Sequence, residues 1–190
     1  MQEILDGAAR VFYRYGYHAC TLDDVAQEVG ISKPALYHYI DSKEDLLYRL
    51  FLDTLQLGRS LMDSAIRGAK GPAERLEAAV KGTVEHVIRN QVRVGLTINE
   101  VEALSEARRN VVKQQIREYE DFFLNIIKEG QAAGVFVHDD PEIMLQFLMG
   151  SLAWVHRWCQ PEHADKIARI QKTFTRLVLR GYLREGASGS

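Results

Sequence analysis

The run from Gly30 to Tyr39, GISKPALYHY, holds a lysine, a histidine and two tyrosines and no acidic residue. Set on one short helix, Lys33, Ala35, Tyr37, His38 and Tyr39 are outward groups able to touch phosphates, sugars and base edges, with Ser32 as the cap and Pro34 in the first turn. A little further on, Lys43 follows Ser42 at the start of another helix. A lysine and free backbone N–H groups at such a place make a phosphate clamp. The alternative is a helical hairpin that only packs against its neighbours.

A second set lies far along the chain. Trp154 and Trp158 are one helical turn apart and Arg157 falls beside them, so a guanidinium can stack on an indole face and still reach an anion. An arginine at a helix C-terminus is also favoured by the helix dipole while fully solvated, and both readings stand. Arg108, Arg109, Lys113 and Arg117 gather near one helix start, either as phosphate contacts or as a solvated face. Catalysis and metal binding find no comparable set. The six histidines form no His-x-x-x-His or His-Glu-x-x-His pair, and Cys20 and Cys159 cannot make a zinc knuckle on their own. Glu100 and Glu102 fall on different helix faces. No phosphate loop, dinucleotide fingerprint or nucleophile elbow occurs. No catalytic residue, metal ligand or cofactor is assigned.

The elements that must hold these groups are helices. Thr21 can cap a helix from Leu22 to Val29, with Asp24 completing the capping box, and Ser32 can cap a second from Lys33 to Ile40. Ala26 and Gly30 are small where the two must cross and turn, and Val25, Val29, Ile31 and Leu36 supply the contacts between them. These are the offsets of a helix-turn-helix, whose second helix enters the major groove of DNA. Before it, Ile4, Leu5, Ala8, Val11 and Phe12 trace one stripe of a first helix closed by Gly16. After it come a long helix from Ser42 fading by Gly68, one from Pro72 to about Asn90, a weakly patterned stretch from Val94 to Ala107, and a clear helix from Arg108 to Lys128. Asp140-Pro141-Glu142 opens a helix to Cys159, Gln160-Pro161 resets the chain, and a last helix carries Ile167, Ile170, Phe174, Leu177 and Val178 inward. Its basic run, Lys166, Arg169, Lys172, Arg176, Arg180 and Arg184, reads as a wet face.

The expectation is an all-α protein of about nine helices. Residues 1–47 form the helix-turn-helix domain, 48–185 a ligand-binding and dimerisation domain, and 186–190 a flexible tail. The helix from Asp140 to Cys159 is apolar over so wide an arc that it must be buried on two sides. In one chain that is an ordinary core helix; in a dimer one face can meet the partner while the other lines a pocket. On the dimer reading the stripe of Phe147, Ser151, Trp154 and Trp158, with Ile143, Gly150 and the adjoining Arg157, lines a pocket with Phe123. The neighbouring stripe of Met144, Leu148, Leu152 and Val155, with Ile170, Phe174 and Leu177, then meets a second copy, and Gly150 and Gly181 are candidates for close helix contact.

Composition narrows the classes. With 46% hydrophobic and 26% charged residues in 190, and only 4 Pro and 14 Gly, the chain can bury a sizeable core and is neither disordered nor collagen-like. The longest charge-free apolar stretch, Ile143 to His156, falls short of the ~18 residues that a membrane span needs. The N-terminus has no signal-peptide pattern, and two cysteines make no disulfide framework, so a reduced cytoplasm is the default. Residues 1–47 hold four basic residues against eight acids. A monomer so charged binds phosphates poorly, so the acids must face away from DNA, and two copies per site would help.

The run from Gly16 to Leu47, GYHACTLDDVAQEVGISKPALYHYIDSKEDLL, strongly resembles the tetracycline-repressor (TetR) family of bacterial regulators, most specifically in SKPALYHYIDSKEDLL. The resemblance implies an all-α homodimer whose last two helices form a four-helix bundle with the partner's, and repression of a palindromic operator relieved by a small molecule. By position, Thr21, Ser32, Lys33, Pro34, Ala35, Tyr37, Tyr39 and Lys43 would face DNA. Cys20 stands where a second Thr or Ser is common, and Ile40 replaces the usual aromatic. The segment SLAWVHRWCQPE looks like the Trp-x-x-Arg-Trp feature of relatives that sense coenzyme A thioesters, which implies that Arg157 holds a polar part of such a ligand and the tryptophans pack beside it. Rival readings are a repressor of the same fold sensing a neutral or cationic hydrophobic compound, a helical enzyme with an appended helix-turn-helix, and an architectural DNA protein without a pocket.

Overall fold

The computed structural model describes residues 1–159 and 164–184, apart from the side chain of Ala164. The Gln160-Pro161 break and the 186–190 tail lie outside the described residues. Among the described residues the chain forms nine α-helices and a 3-10 turn, with no strand beyond an isolated bridge between Phe136 and Leu183. The helices are α1 (Gln2–Tyr15), α2 (Leu22–Val29), α3 (Lys33–Tyr37), α4 (Lys43–Ala65), α5 (Pro72–Arg89), α6 (Gln91–Asn99), α7 (Glu106–Ala132), α8 (Pro141–Trp158) and α9 (Ala164–Tyr182), with the 3-10 turn at Val101–Ala103. The all-α expectation holds. No helix among the described residues is long and apolar enough to cross a membrane.

The chain divides into two compact units. The first contains Met1–Gln56 and Asn90–Gln115; the second contains Leu57–Arg89 and the chain from Ile116 onward. Helices α4 and α7 each contribute residues to both. The first unit holds all of residues 1–47 and also takes in α6 and the start of α7.

In the first unit the stripe read from sequence is the core: Ile4, Leu5, Ala8, Val11 and Phe12 are buried with Val25, Leu36, Leu46, Leu47, Leu50 and Phe51. Helix α1 lies so close to α2 that a Cβ on Gly7 would come within 2.3 Å of Val29 Cγ2, so a larger residue there forces Val29 to shift. Helix α3 ends at Tyr37, three residues sooner than expected. Ile40 is fully buried like Leu36 four residues before it, and its N–H still bonds to the Leu36 carbonyl at 3.3 Å. The weak stretch after residue 90 is also broken up. Helix α6 stops at Asn99, the 3-10 turn follows, and Leu104 enters the core before α7 starts.

In the second unit α5 packs against α8 and α9. Its buried face, including Leu76, Val80, Val84 and Ile88, meets a core to which α7 supplies Phe123, Ile126 and Ile127 and α8 supplies Leu145, Leu148, Leu152 and Val155. At the end of α9, Tyr182 is buried and its hydroxyl donates to the Met144 carbonyl.

Candidate nucleic-acid interface and ligand face

The helix-turn-helix is built by local chemistry. The Thr21 side chain accepts from the Asp24 N–H at 3.3 Å while the Asp24 carboxylate accepts from the Thr21 N–H at 2.7 Å, a reciprocal capping box. That bond from the Thr21 N–H holds the Asp24 carboxyl below the usual carboxylate range. Gly30 ends α2 in the left-handed region, φ 76°, where a side chain would be strained. The Ile31 N–H then bonds back to the Ala26 carbonyl at 3.0 Å. Ser32 caps α3 by accepting from the Ala35 N–H at 3.3 Å, and Pro34 sits in the first turn.

The outcome is a helix anchored by one buried residue, Leu36, with everything else turned outward. Ser32, Lys33, Pro34, Tyr37, His38 and Tyr39 are exposed and Ala35 is half-buried, while Thr21 is exposed at the head of α2. His38 and Tyr39 lie just past the end of α3. The Lys33 ammonium donates to Asp23 at 2.7 Å, and this contact pushes its pKa up. Cys20 is buried with its thiol donating to the Tyr17 carbonyl, so it takes no part in this surface.

Lys43 does something other than expected. Its ammonium donates to the backbone carbonyls of Tyr17 and Cys20, both at 2.8 Å, and of His18 at 3.4 Å, and lies 4.7 Å from the centroid of the Tyr17 ring. Three N–H donors meet three carbonyls, so Lys43 staples the α1–α2 loop to the start of α4 instead of offering its charge outward.

The acids of residues 1–47 are mostly engaged within the first unit. Glu28 accepts from Arg10 at 2.6 Å and Arg14 at 3.4 Å, and the Arg10 contact holds its carboxyl low. Asp45 pairs with Arg49 at 2.8 Å and Arg108 at 3.1 Å, and Glu44 accepts from the Ser105 N–H at 2.9 Å. Asp6 pairs with Arg93 at 2.8 Å. Part of the apparent acid excess is therefore met by arginines from α6 and α7. Arg109 and Lys113 are likewise paired, both with Glu102, at 2.9 and 2.6 Å. The basic cluster entertained as phosphate contacts is thus largely an intramolecular ion-pair set.

In the second unit the two stripes of α8 differ in exposure. Met144, Leu148, Leu152 and Val155, expected at a dimer seam, are buried inside their own chain, and Ile170 is buried with them. The stripe expected to line a pocket is on the surface: Phe147 is 68% and Trp154 59% exposed, with Ile143 and Trp158 beside them. Leu177 of α9 is 62% exposed, and half-buried Phe174 stacks on Trp158 with centroids 6.4 Å apart and planes 18° off parallel. Side chains already surrounded by their own core have no surface left for a partner, whereas those in water do. Gly150 and Gly181 are exposed with nothing within 4 Å of a would-be Cβ, leaving room for another helix.

The Arg157 guanidinium lies 5.1 Å from the Trp154 ring centroid on that exposed face, the stacking anticipated from spacing. Ser151 is half-buried and its hydroxyl donates to the Leu148 carbonyl at 2.8 Å. Phe123 is a different case. It is fully buried, with the Tyr119 and Phe122 rings each 5.7 Å away. Polar groups the sequence did not single out occupy this interior. The Thr83 and Tyr119 hydroxyls are 2.6 Å apart and burial pushes the Tyr119 phenol up to about 12. His86 is buried against Gly58, and burial pushes its imidazole down to about 4. The Lys172, Arg176 and Lys81 side chains border an open groove of about 490 Å³ between α5 and α9. The exposed positions of Arg169, Lys172, Arg176 and Arg180 agree with a wet face on α9. No cluster of metal-binding side chains occurs among the described residues.

Residues 4–50 match the family model described as bacterial regulatory proteins, tetR family, and residues 69–182 match that of the tetracyclin repressor-like C-terminal domain. The HTH-type transcriptional repressor KstR2 of Rhodococcus jostii is 30% identical over 190 residues, covering 94% of this chain and 89% of its own. The ketosteroid transcriptional regulator KstR2 of Mycobacterium tuberculosis has a similar structure, with a TM-score of 0.87 at 23% identity over 97% of this chain and 95% of that one. So does AibR, solved in complex with isovaleryl coenzyme A and operator DNA, with a TM-score of 0.83 at 23% identity over 93% and 96% of the two chains.

Proposed function

Since the chain belongs to the TetR family of bacterial transcriptional regulators, whose two models together match most of its length, we propose that it is a homodimeric repressor released from a palindromic operator by a small hydrophobic ligand, an acyl-CoA thioester. Relatives named as repressors support a regulator rather than an enzyme. In this reading residues 1–47 carry the DNA contacts and the chain from residue 48 binds ligand and partner.

The observation that carries the DNA reading is α3 itself: Lys33, Pro34, Tyr37, His38 and Tyr39 point outward around one buried leucine. The Ser32 hydroxyl caps the same helix, and Thr21 is exposed at the head of α2. Selection from random-sequence duplexes, followed by anisotropy titration at several salt concentrations, tests it. An enriched palindrome bound with a steep salt dependence is expected; no enrichment at low salt would overturn the reading.

The uncovered apolar face of α8 and α9 supports the homodimer, with Phe147, Trp154, Trp158, Phe174 and Leu177 meeting their counterparts across a two-fold axis. Arg157 and its tryptophan neighbours lie on that same face, so a ligand they hold lies next to the seam. A thioester matches this set because it brings an anionic portion to the guanidinium and an apolar chain to the indoles. The naming of AibR with isovaleryl coenzyme A supports the class without fixing the acyl chain. Thermal-shift measurements with free CoA, short and long acyl-CoAs and free fatty acids test it. A ligand at about a hundred times its Kd adds roughly 2.7 kcal/mol, so silence from all thioesters would overturn the ligand class and leave the repressor standing.

Release follows if the ligand prefers a dimer whose two α3 helices no longer match successive major grooves, about 34 Å apart on B-DNA. Emptying a nearly full operator needs a preference approaching ~5.5 kcal/mol. Helix α4, with residues in both units, is the lever in this reading. Equal separation of the two Tyr37 Cα atoms in crystals with and without ligand would refute it.

A further inference from the structure

We propose that Arg93 is the positioning residue through which α6 holds α1 and α4, and with them the helix-turn-helix they flank, in the orientation that reads DNA. Arg93 is 5% exposed. Its Nη1 donates to Asp53 of α4 at 2.5 Å and its Nη2 to Asp6 of α1 at 2.8 Å. One guanidinium therefore bridges two helices that are far apart in sequence, and both meet on a third.

A planar guanidinium presents its donors in a rigid fork. Two carboxylates bonded to its separate nitrogens are fixed in direction as well as distance, which apolar contacts cannot do. Well-packed apolar side chains of similar volume often hold a fold as well as a buried ion pair does. What the bridge adds is geometry. Helix α2 rests on α1 through the Gly7–Val29 approach and the Arg10–Glu28 pair, and the α1–α2 loop is stapled to α4 by Lys43. Any tilt of α1 against α4 thus carries α2 and α3 along.

The DNA-reading part of this proposal rests on the regulator reading given above.

The test uses the full-length protein with nitroxides at Tyr13→Cys on α1 and Gln56→Cys on α4, two exposed positions. The labelled protein is diluted with unlabelled protein so that pulsed electron resonance reads distances within one chain. The wild-type background should give one narrow distribution, and Arg93→Met a broadened one together with a loss of about tenfold in affinity for the selected operator. Arg93→Lys, whose single ammonium lacks the fork, should fall between. Asp6→Asn cuts only the α1 arm at a half-exposed carboxylate and should broaden the distribution less; it carries the test if Arg93→Met fails to fold. Narrow, unshifted distributions in Arg93→Met and Asp6→Asn would overturn the proposal, as would broadening with unchanged operator affinity. Should the wild-type protein select no operator, the regulator reading falls, while the distance comparison still decides whether Arg93 positions the helices.

Discussion

The first compact unit and the α8–α9 surface of the second meet the problem of unsatisfied groups in opposite ways. In the first, Lys43, Arg93 and Arg108 are all turned onto carbonyls or carboxylates of the same unit, and the small surface left outside at α3 mixes Ser32, Lys33 and His38 with Tyr37 and Tyr39. In the second, the cations of α9 stand in water while Phe147, Trp154 and Leu177 are uncovered. A surface with its charges internally paired is complete as a single chain. An apolar patch of aromatic side chains is not, because water around it is relieved only by another surface. Reading and association are therefore separable properties, and substitutions should move one without the other.

The largest expected effect comes from two adjacent residues of α8. Leu148 is fully buried, and Leu148→Ala should lower the unfolding free energy by about 2–5 kcal/mol while the assembled protein keeps its stoichiometry. Phe147 is mostly exposed in one chain, so Phe147→Asp should leave the chain folded but convert dimer to monomer, a loss of at least about 2 kcal/mol per side. Sedimentation velocity beside urea unfolding separates the two. A monomeric Leu148→Ala, or an unfolded Phe147→Asp, would break the comparison.

Next comes acid. Burial pushes His86 down to about 4, below the ~6.5 of an unfolded chain. Below the unfolded value the unfolded state binds a proton that the folded state refuses, so stability present above about pH 6.5 is lost as pH falls toward about 4, by roughly 3 kcal/mol over the whole window. Between pH 7.5 and 5 the loss should be about 2 kcal/mol, and His86→Gln should abolish that share of the slope. Urea titrations at the two pH values check it. An unchanged slope would place the acid sensitivity elsewhere than in the core of the second unit.

Lysines sharpen the contrast inside the first unit. Lys43→Met strands three backbone carbonyls and should cost about 1–3 kcal/mol of stability. Lys33→Met should change stability by less than about 0.5 kcal/mol and lower the salt dependence of operator binding by about one counterion. Thermal unfolding and salt-dependent anisotropy, run on both variants, would detect an exchange of these roles.

These outcomes also mark what a linear reading can and cannot see. Thr21 with Asp24, Gly30 and Ser32 act within a few residues of themselves, so caps, turn and the all-α character were legible. The bonds of Lys43 were not legible because its carbonyl partners lie 23 to 26 residues upstream, and nothing at Lys43 announces them. The two stripes of α8 were both found, yet nothing in the sequence said which of them the chain itself covers. Apolarity says that a face avoids water, but only the packing of α5 and α9 decides which face is covered by the same chain. Arg93, inside QVRVGLTIN, has the look of a solvated arginine on a weak helix. Its partners Asp6 and Asp53 are 87 and 40 residues away, and such pairing is a property of the fold alone.

The smallest effect concerns the caps, and it asks whether α2 and α3 depend on their caps to the same degree. Replacing an N-cap hydroxyl by alanine costs about 1 kcal/mol in a helix that relies on it. Helix α2 has eight residues and three buried side chains, and its box is reciprocal. Helix α3 has five residues, one buried side chain and a single bond from Ser32. Tertiary packing therefore carries more of α2, whereas α3 leans on its cap and on the fixed φ of Pro34. Thr21→Ala should lower global stability by about 1 kcal/mol, and Ser32→Ala should lower it less while speeding amide exchange in residues 35–37. Hydrogen exchange read residue by residue checks this. If Ser32→Ala left α3 protection unchanged, the recognition helix would be held by Leu36 and Ile40 alone, and operator affinity in that variant would drop only by the hydroxyl's own contact.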